Sequence, residues 1–218
     1  MTDFRIGLID SNEMVRSGRT MIFNSQPNMQ VVLEESDPLR AIERAPEYLI
    51  DVLLVGPSQF SLRGLGLIEL LTKALYEAKN DCAVIAYNAF TSGRNRFDAL
   101  FWGAQEFIGL DSNASELLGL VHKVTKRDFL VSPSELLKLK NEFGARVTSN
   151  HLELKLSELN DVQTKIVELF LLGESDQAIA KQLELARTRV TQLIDSLIQS
   201  AAVTSRNQLA LLLLENPA

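Results

Sequence analysis

The alternation of apolar and polar positions divides the chain into two unequal parts. Up to about residue 125, short β-branched or wholly apolar runs alternate with helix-length stretches that are apolar on one face. Residues 4–9 predict a strand, and Asp10, Ser11 and Asn12 supply cap-forming side chains before a helix that runs to about Ser25. Residues 30–35 predict a second strand, and Asp37-Pro38 opens a helix reaching about Ala45. Residues 51–55 (DVLLV) form a short strand of the kind buried on both faces of a parallel sheet. Helix follows over 64–78, strand over 82–87, helix over 93–102, strand over 106–109 and helix over 114–125. Five βα units in succession argue an α/β fold with a doubly wound, five-stranded parallel sheet, because parallel neighbours need crossover connections. The functional loops of such a sheet lie at the carboxyl ends of its strands.

From residue 128 to 155 the pattern breaks. Ser132-Pro133-Ser134 begins a short helix over 135–143, Gly144 ends it, and 146–151 is polar. Four helices and no strand signal follow, at about 160–172, 175–183, 187–201 and 205–214. Gly173 stops the first, and Ser175 and Ser205 have the character of N-caps. The division is therefore a doubly wound domain over 1–127, a linker with a short helix over 128–155, and a small all-α four-helix domain over 156–218. The last helix, ending LALLLL, is apolar on more than one face. Two readings stand open for it: a core helix of a small domain, or a helix with one face inside and the rest seeking a partner.

A net charge of −6 means that any contact with nucleic acid must come from a local patch. The helical part carries five basic and eight acidic side chains, so it offers no broad cationic face. The single cysteine, Cys82, lies in an apolar run and reads as a buried thiol. No leader pattern opens the sequence and no apolar run approaches the ~18 residues of a membrane span, so a soluble cytoplasmic protein is expected. His122 and His151 have no paired nucleophile, and Gly64 and Gly66 (RGLGL) are too closely spaced for a dinucleotide fingerprint. No catalytic set, cofactor or metal site is expected, and the chain does not read as an enzyme.

Several strings, in this order and spacing, resemble response regulators of the NarL/FixJ type, which pair a receiver domain with a LuxR-type helix-turn-helix. They are IDSNEMVRSG (9–18), VVLEESDPLRAIE (31–43), DVLLVGPS (51–58), GAQEFIGLD (103–111), LNDVQTKIVELFLLGESDQAIAKQLELARTRVTQLIDSLI (159–198) and VTSRNQLA (203–210). The resemblance implies a receiver site at the carboxyl edge of the sheet, built from two Mg²⁺-holding acids, a phosphoacceptor aspartate, a hydroxyl and a lysine. Carried onto this chain, the acidic pair falls on Asp10 and Ser11 and the acceptor on Gly56. The hydroxyl falls on Ala86, or on Tyr87 with a one-residue slip, and the lysine on Leu110. That degenerate set implies a pseudo-receiver with no aspartyl-phosphate chemistry. Asp10 is read as a helix cap or as a residual cation contact, and Glu34 and Glu35 as unsuited to replace the acceptor. The emptied site reads either as a pocket for a small neutral or apolar ligand, or as one filled by packing; the domain then serves as a binding or dimerisation platform.

In the second domain, Val190, Ile194, Leu197 and Ala201 form a core stripe on the third helix, and Thr188, Thr191, Gln192, Asp195 and Gln199 lie opposite. The resemblance puts base-edge contacts at Thr191, Gln192 and Asp195, Thr188 shares their face of the helix, and phosphate contacts would come from Lys181, Arg187, Arg189 and Arg206. It also implies pairing through the last helix and a near-palindromic DNA site. The expected function is a phosphorylation-independent, DNA-binding transcriptional regulator acting as a dimer. The rival expectation is a protein-interaction adaptor with weak or no DNA binding, which the acidic second domain favours.

Overall fold

The computed structural model describes residues 4–56, 65–78, 80, 82–88, 91–124, 131–143, 159–203 and 205–215. They form two compact units, Met1–Lys126 and Arg127–Ala218. The first contains β1 (Phe4–Ile9), α1 (Glu13–Asn24), β2 (Met29–Glu35), α2 (Pro38–Arg44), β3 (Val52–Val55) and α3 (Leu65–Glu77). It continues with β4 (Ala83–Asn88), α4 (Gly93–Phe101), β5 (Glu106–Gly109) and α5 (Ala114–Val124). All pairings are parallel and the strand order is β2-β1-β3-β4-β5, the doubly wound sheet that the alternation predicts.

Every residue of β3 and β4 is buried, because both faces of these central strands are covered. Leu53, Val55, Val84 and Ala86 share one core with Ile68, Leu71 and Leu75 of α3 and Phe107 of β5. Each fully buried large aliphatic side chain there contributes roughly 1.5–3 kcal/mol of transfer free energy. The cap of α1 is Asn12, whose Oδ1 accepts from the Met14 and Val15 N–H groups at 3.0 and 3.3 Å. Asp10 does not cap that helix: it turns inward and is 2 % exposed. Helix α2 stops at Arg44 and tightens into one 3₁₀ turn over Ala45–Glu47, since Pro46 lacks the N–H that would extend it.

The second unit contains α6 (Pro133–Phe143), α7 (Asp161–Leu171), α8 (Asp176–Gln182), α9 (Arg187–Ser200) and α10 (Arg206–Glu215). Pro133 occupies the first helical position of α6, where its missing N–H costs nothing, and the helix therefore starts two residues before the expected Glu135. The polar stretch 144–151, His151 included, lies outside the described residues. Asn160 and Gln163 form a reciprocal capping box at α7, Gly173 leaves that helix with φ +87°, and Ser175 caps α8.

Helix α6 is more than a linker element. It packs on α10, with Leu136 fully buried, and Lys140 of α6 forms an ion pair with Glu215 of α10. Helices α7 and α9 pack on α10 as well, and Gln208, Leu209, Ala210, Leu211, Leu212 and Leu213 are all buried. Six consecutive buried residues sweep every direction around a helix axis. The apolar excess of LALLLL is thus covered within the chain, as the core reading of this helix expects.

The 14-residue α9 starts from Ala186, which has no side-chain oxygen to accept from the exposed N–H groups of the first turn. Ala186→Ser is expected to stabilise the second unit by about 1 kcal/mol, measured as a rise in its unfolding midpoint. An unchanged midpoint would mean those N–H groups already have equivalent partners.

Candidate functional site

At the carboxyl edge of the sheet, pairing register decides which side chains meet. Ile9 pairs with Val55 and Val55 with Ala86, so Asp10, Gly56 and Tyr87 stand level, each one residue further on. The hydroxyl-bearing position is therefore Tyr87; Ala86, taken first from the sequence, sits one residue back inside the core. The Tyr87 hydroxyl donates to Asp10 Oδ2 at 2.6 Å, and the Asn12 N–H donates to Asp10 Oδ1 at 2.8 Å. Arg19, on the inward face of α1 four residues before the buried Phe23, lays its guanidinium 3.7 Å over the Tyr87 ring.

This cluster fills the site. A Cβ at Gly56 would lie 2.6 Å from both Asp10 Cγ and the Tyr87 oxygen, so no larger residue fits without displacing that pair. Among the described residues, the space beside Gly56 is packed by Tyr87 and Asp10. Burial pushes the Tyr87 phenol well above its ordinary range, and the Asp10 carboxylate adds to the shift, so the phenol stays a donor. Burial lowers the Arg19 guanidinium, offset by Tyr87 and Asp10. Ser11 is exposed, and Leu110 is half-buried just past β5, its N–H bonded to the Asn88 carbonyl at 2.9 Å.

A receiver fold implies Mg²⁺, and these residues do not fit it. Asp10 is the one carboxylate left of the acidic pair, and both its oxygens already accept hydrogen bonds from the protein. Glu35 is equally committed. It accepts from the Ser36 and Asp37 N–H groups and from Arg44 at 2.8 Å. Burial alone would raise its carboxyl, but the Arg44 and backbone hydrogen bonds outweigh that and hold it low.

In the second unit, α8, a four-residue turn and α9 make a helix-turn-helix. Within the turn, Glu184 sits at φ +53°. The stripe Val190, Ile194, Leu197 and Ala201 is buried, joined by Ile198. On the outer side Arg187, Thr188, Arg189 and Gln192 are exposed, as is Lys181 at the end of α8, while Thr191 and Asp195 are half-buried. Arg206 departs from expectation: it forms an ion pair with Asp176, which is 2 % exposed, and lies 5.5 Å from the Phe170 ring centroid. Thr191 is also engaged, its hydroxyl donating to Asp176 Oδ2 at 2.7 Å and lying 3.2 Å from the Arg187 carbonyl oxygen.

Asp176 escapes a reading by residue type because it occupies a position of the inward stripe that continues at Ile179 and Ala180. An acid at an apolar-stripe position was the available signal, and Arg19 on α1 gave the same one. Among the described residues no helix is long and apolar enough to cross a membrane.

A doubly wound parallel sheet followed by a helix-turn-helix unit is the arrangement that the resemblance to response regulators implies. No family model matches the chain. Response regulator protein VraR of Staphylococcus aureus is 22 % identical over 204 residues, covering 94 % of this chain and 93 % of the relative. Among solved structures, a LuxR-family two-component response regulator from an Aurantimonas species matches with TM-score 0.53 and 18 % identity, over 65 % of this chain and 98 % of that one. The receiver domain of NarL from Mycobacterium tuberculosis matches with TM-score 0.51 and 22 % identity, over 58 % and 98 %. RcsB of Salmonella typhimurium matches with TM-score 0.50 and 16 % identity, over 93 % and 94 %. In fold and in the order of its two units, the chain is similar to response regulators of the LuxR/NarL type.

Gly56→Ala is expected to destabilise the first unit by about 1–3 kcal/mol through overpacking. Combined with Tyr87→Phe, the two costs should fall short of their sum, because both substitutions act on the same phenol oxygen. Denaturant unfolding of the two single variants and the double variant measures this, and strict additivity would refute the filled-site geometry.

Proposed function

We propose that the chain is a DNA-binding transcriptional regulator that works without phosphorylation of its receiver-like unit. The observation that carries the reading is the outer face of α9. There Arg187, Thr188, Arg189 and Gln192 stand exposed opposite the buried stripe, with Lys181 exposed nearby on α8. A helix-turn-helix sets the N-terminal part of its second helix against base edges, and these residues occupy that part. Gln192 suits adenine, while Lys181, Arg187 and Arg189 suit phosphates. The near-complete match to a response regulator supports the same reading.

Phosphorylation independence rests on the sheet edge. Gly56 has no acceptor atom, and Asp10 and Tyr87 occupy the space where a phosphoryl group would sit. The reading needs no cofactor and no catalytic residue, and such a regulator works in the cytoplasm, where the DNA is. The three exposed cations Lys181, Arg187 and Arg189 on this face of each copy are few for a monomer, so a homodimer on a near-palindromic site fits better. With α10 covered by α6, α7 and α9, pairing through α10 requires α6 to leave it.

The adaptor reading draws on one specific observation. Arg206 and Thr191, two of the groups suited to DNA, are turned onto Asp176. The deciding measurement is binding of the full chain to pooled genomic fragments across a salt series, beside an Arg187→Ala, Arg189→Ala double variant. Enrichment of one motif is expected. The log-log salt slope should flatten in the double variant by about 2 for a monomer and about 4 for a dimer, at roughly 0.9 per phosphate contact. No enrichment at low salt from folded protein would favour the adaptor. Acetyl phosphate is expected to leave the chain unlabelled, and stoichiometric labelling would overturn phosphorylation independence.

A further inference from the structure

Asp176 is 2 % exposed and belongs to the supporting helix, yet it holds a side chain of the helix that would read bases. We propose that Asp176 is a positioning residue that sets the hydrogen-bond polarity of Thr191, so that Thr191 meets a base as an acceptor and a methyl group, never as a donor. This inference rests on the DNA-binding reading above.

The argument begins with the cost of burying a carboxylate. Asp176 is 2 % exposed, so it needs donors on its oxygens. Arg206, from the first turn of α10, meets Oδ1 as an ion pair, and Thr191, from the second turn of α9, donates its hydroxyl proton to Oδ2 at 2.7 Å. An ionised carboxylate only accepts, and a threonine hydroxyl has one proton. The second acceptor near that proton is also protein, the Arg187 carbonyl oxygen at 3.2 Å. What Thr191 has left to show outward is an oxygen lone pair and its methyl group.

Base edges in the major groove sort by this polarity. Adenine and cytosine present amino donors that suit the lone pair, and thymine presents a methyl group that suits the Thr191 methyl. Guanine presents only the acceptors N7 and O6, which would face the lone pair with no proton between them. The buried pair therefore makes guanine the excluded base at one position of each half-site, although Asp176 touches no base.

Changing Asp176 to asparagine reverses the polarity while keeping the shape. The amide oxygen takes Arg206, the amide N–H donates to the Thr191 oxygen, and the hydroxyl proton is freed to turn between the Arg187 carbonyl and the groove. The experiment selects motifs from randomised duplex DNA with the full-length wild type, Thr191→Val and Asp176→Asn, with thermal unfolding of each. Thr191→Val locates the position, since loss of the oxygen flattens the preference for an amino-bearing base there. At that position the wild type is expected to disfavour guanine by roughly fivefold or more, the size of one mismatched pair. Asp176→Asn is expected to relieve that discrimination and leave the other positions unchanged, which a merely structural role would not do.

A wild type that selects no motif defeats the DNA reading, and this inference with it. A wild type that selects a motif sinks this inference alone if it prefers guanine at the mapped position, if Thr191→Val changes no position, or if folded Asp176→Asn keeps the wild-type profile. Should Asp176→Asn fail to fold, the wild type and Thr191→Val still decide: guanine disfavoured at the mapped position supports the assignment, and guanine tolerated there overturns it.

Discussion

A carboxylate withdrawn from water costs several kcal/mol unless donors meet it, and each unit of this protein has such a group at its candidate site. In the first unit it is Asp10, at the end of β1; in the second it is Asp176, at the start of α8. Each is met by side chains from other elements, Tyr87 of β4 in one case, Thr191 of α9 and Arg206 of α10 in the other. These contacts tie strand to strand and helix to helix. They also spend the polar groups that make them, and that expenditure shapes what each unit can do.

At the sheet edge the consequence is a site closed by its own residues. Tyr87 supplies the donor for Asp10 and Arg19 stacks on its ring, which leaves no volume for a side chain at position 56. Glycine at that position and tyrosine at 87 belong together sterically: the space that an acceptor side chain would need holds the phenol oxygen. Among the described residues, the space beside position 56 is thus taken up by Asp10 and Tyr87.

In the helical unit the consequence is selective. Lys181, Arg187 and Arg189 remain exposed, whereas Arg206 is drawn to Asp176. A unit that carries more acid than base must then rely on a few local contacts rather than on a broad attractive field. Helix α6 adds a second constraint by packing, with α7 and α9, around α10, so a helix that is apolar in every direction has no bare side.

Much of this was legible in the residues alone. Periods of two and 3.6 are local properties of the backbone, so the five strands, the crossover helices, the helices after residue 159 and the buried stripe on α9 could be read from runs of fewer than twenty residues. That position 56 offers no side-chain acceptor is equally plain, because a glycine has no side chain in any fold. Only the tertiary structure decided which residue stands level with Gly56, that Asp10 turns inward while Asn12 caps α1, that α6 covers α10, and that Arg206 serves Asp176. Those outcomes depend on partners brought together over distance. Asp10 meets Tyr87 across 77 positions of sequence and Asp176 meets Arg206 across 30. A buried charge takes whichever donor the packing delivers, and packing is settled by strand register and helix contacts that no local pattern records.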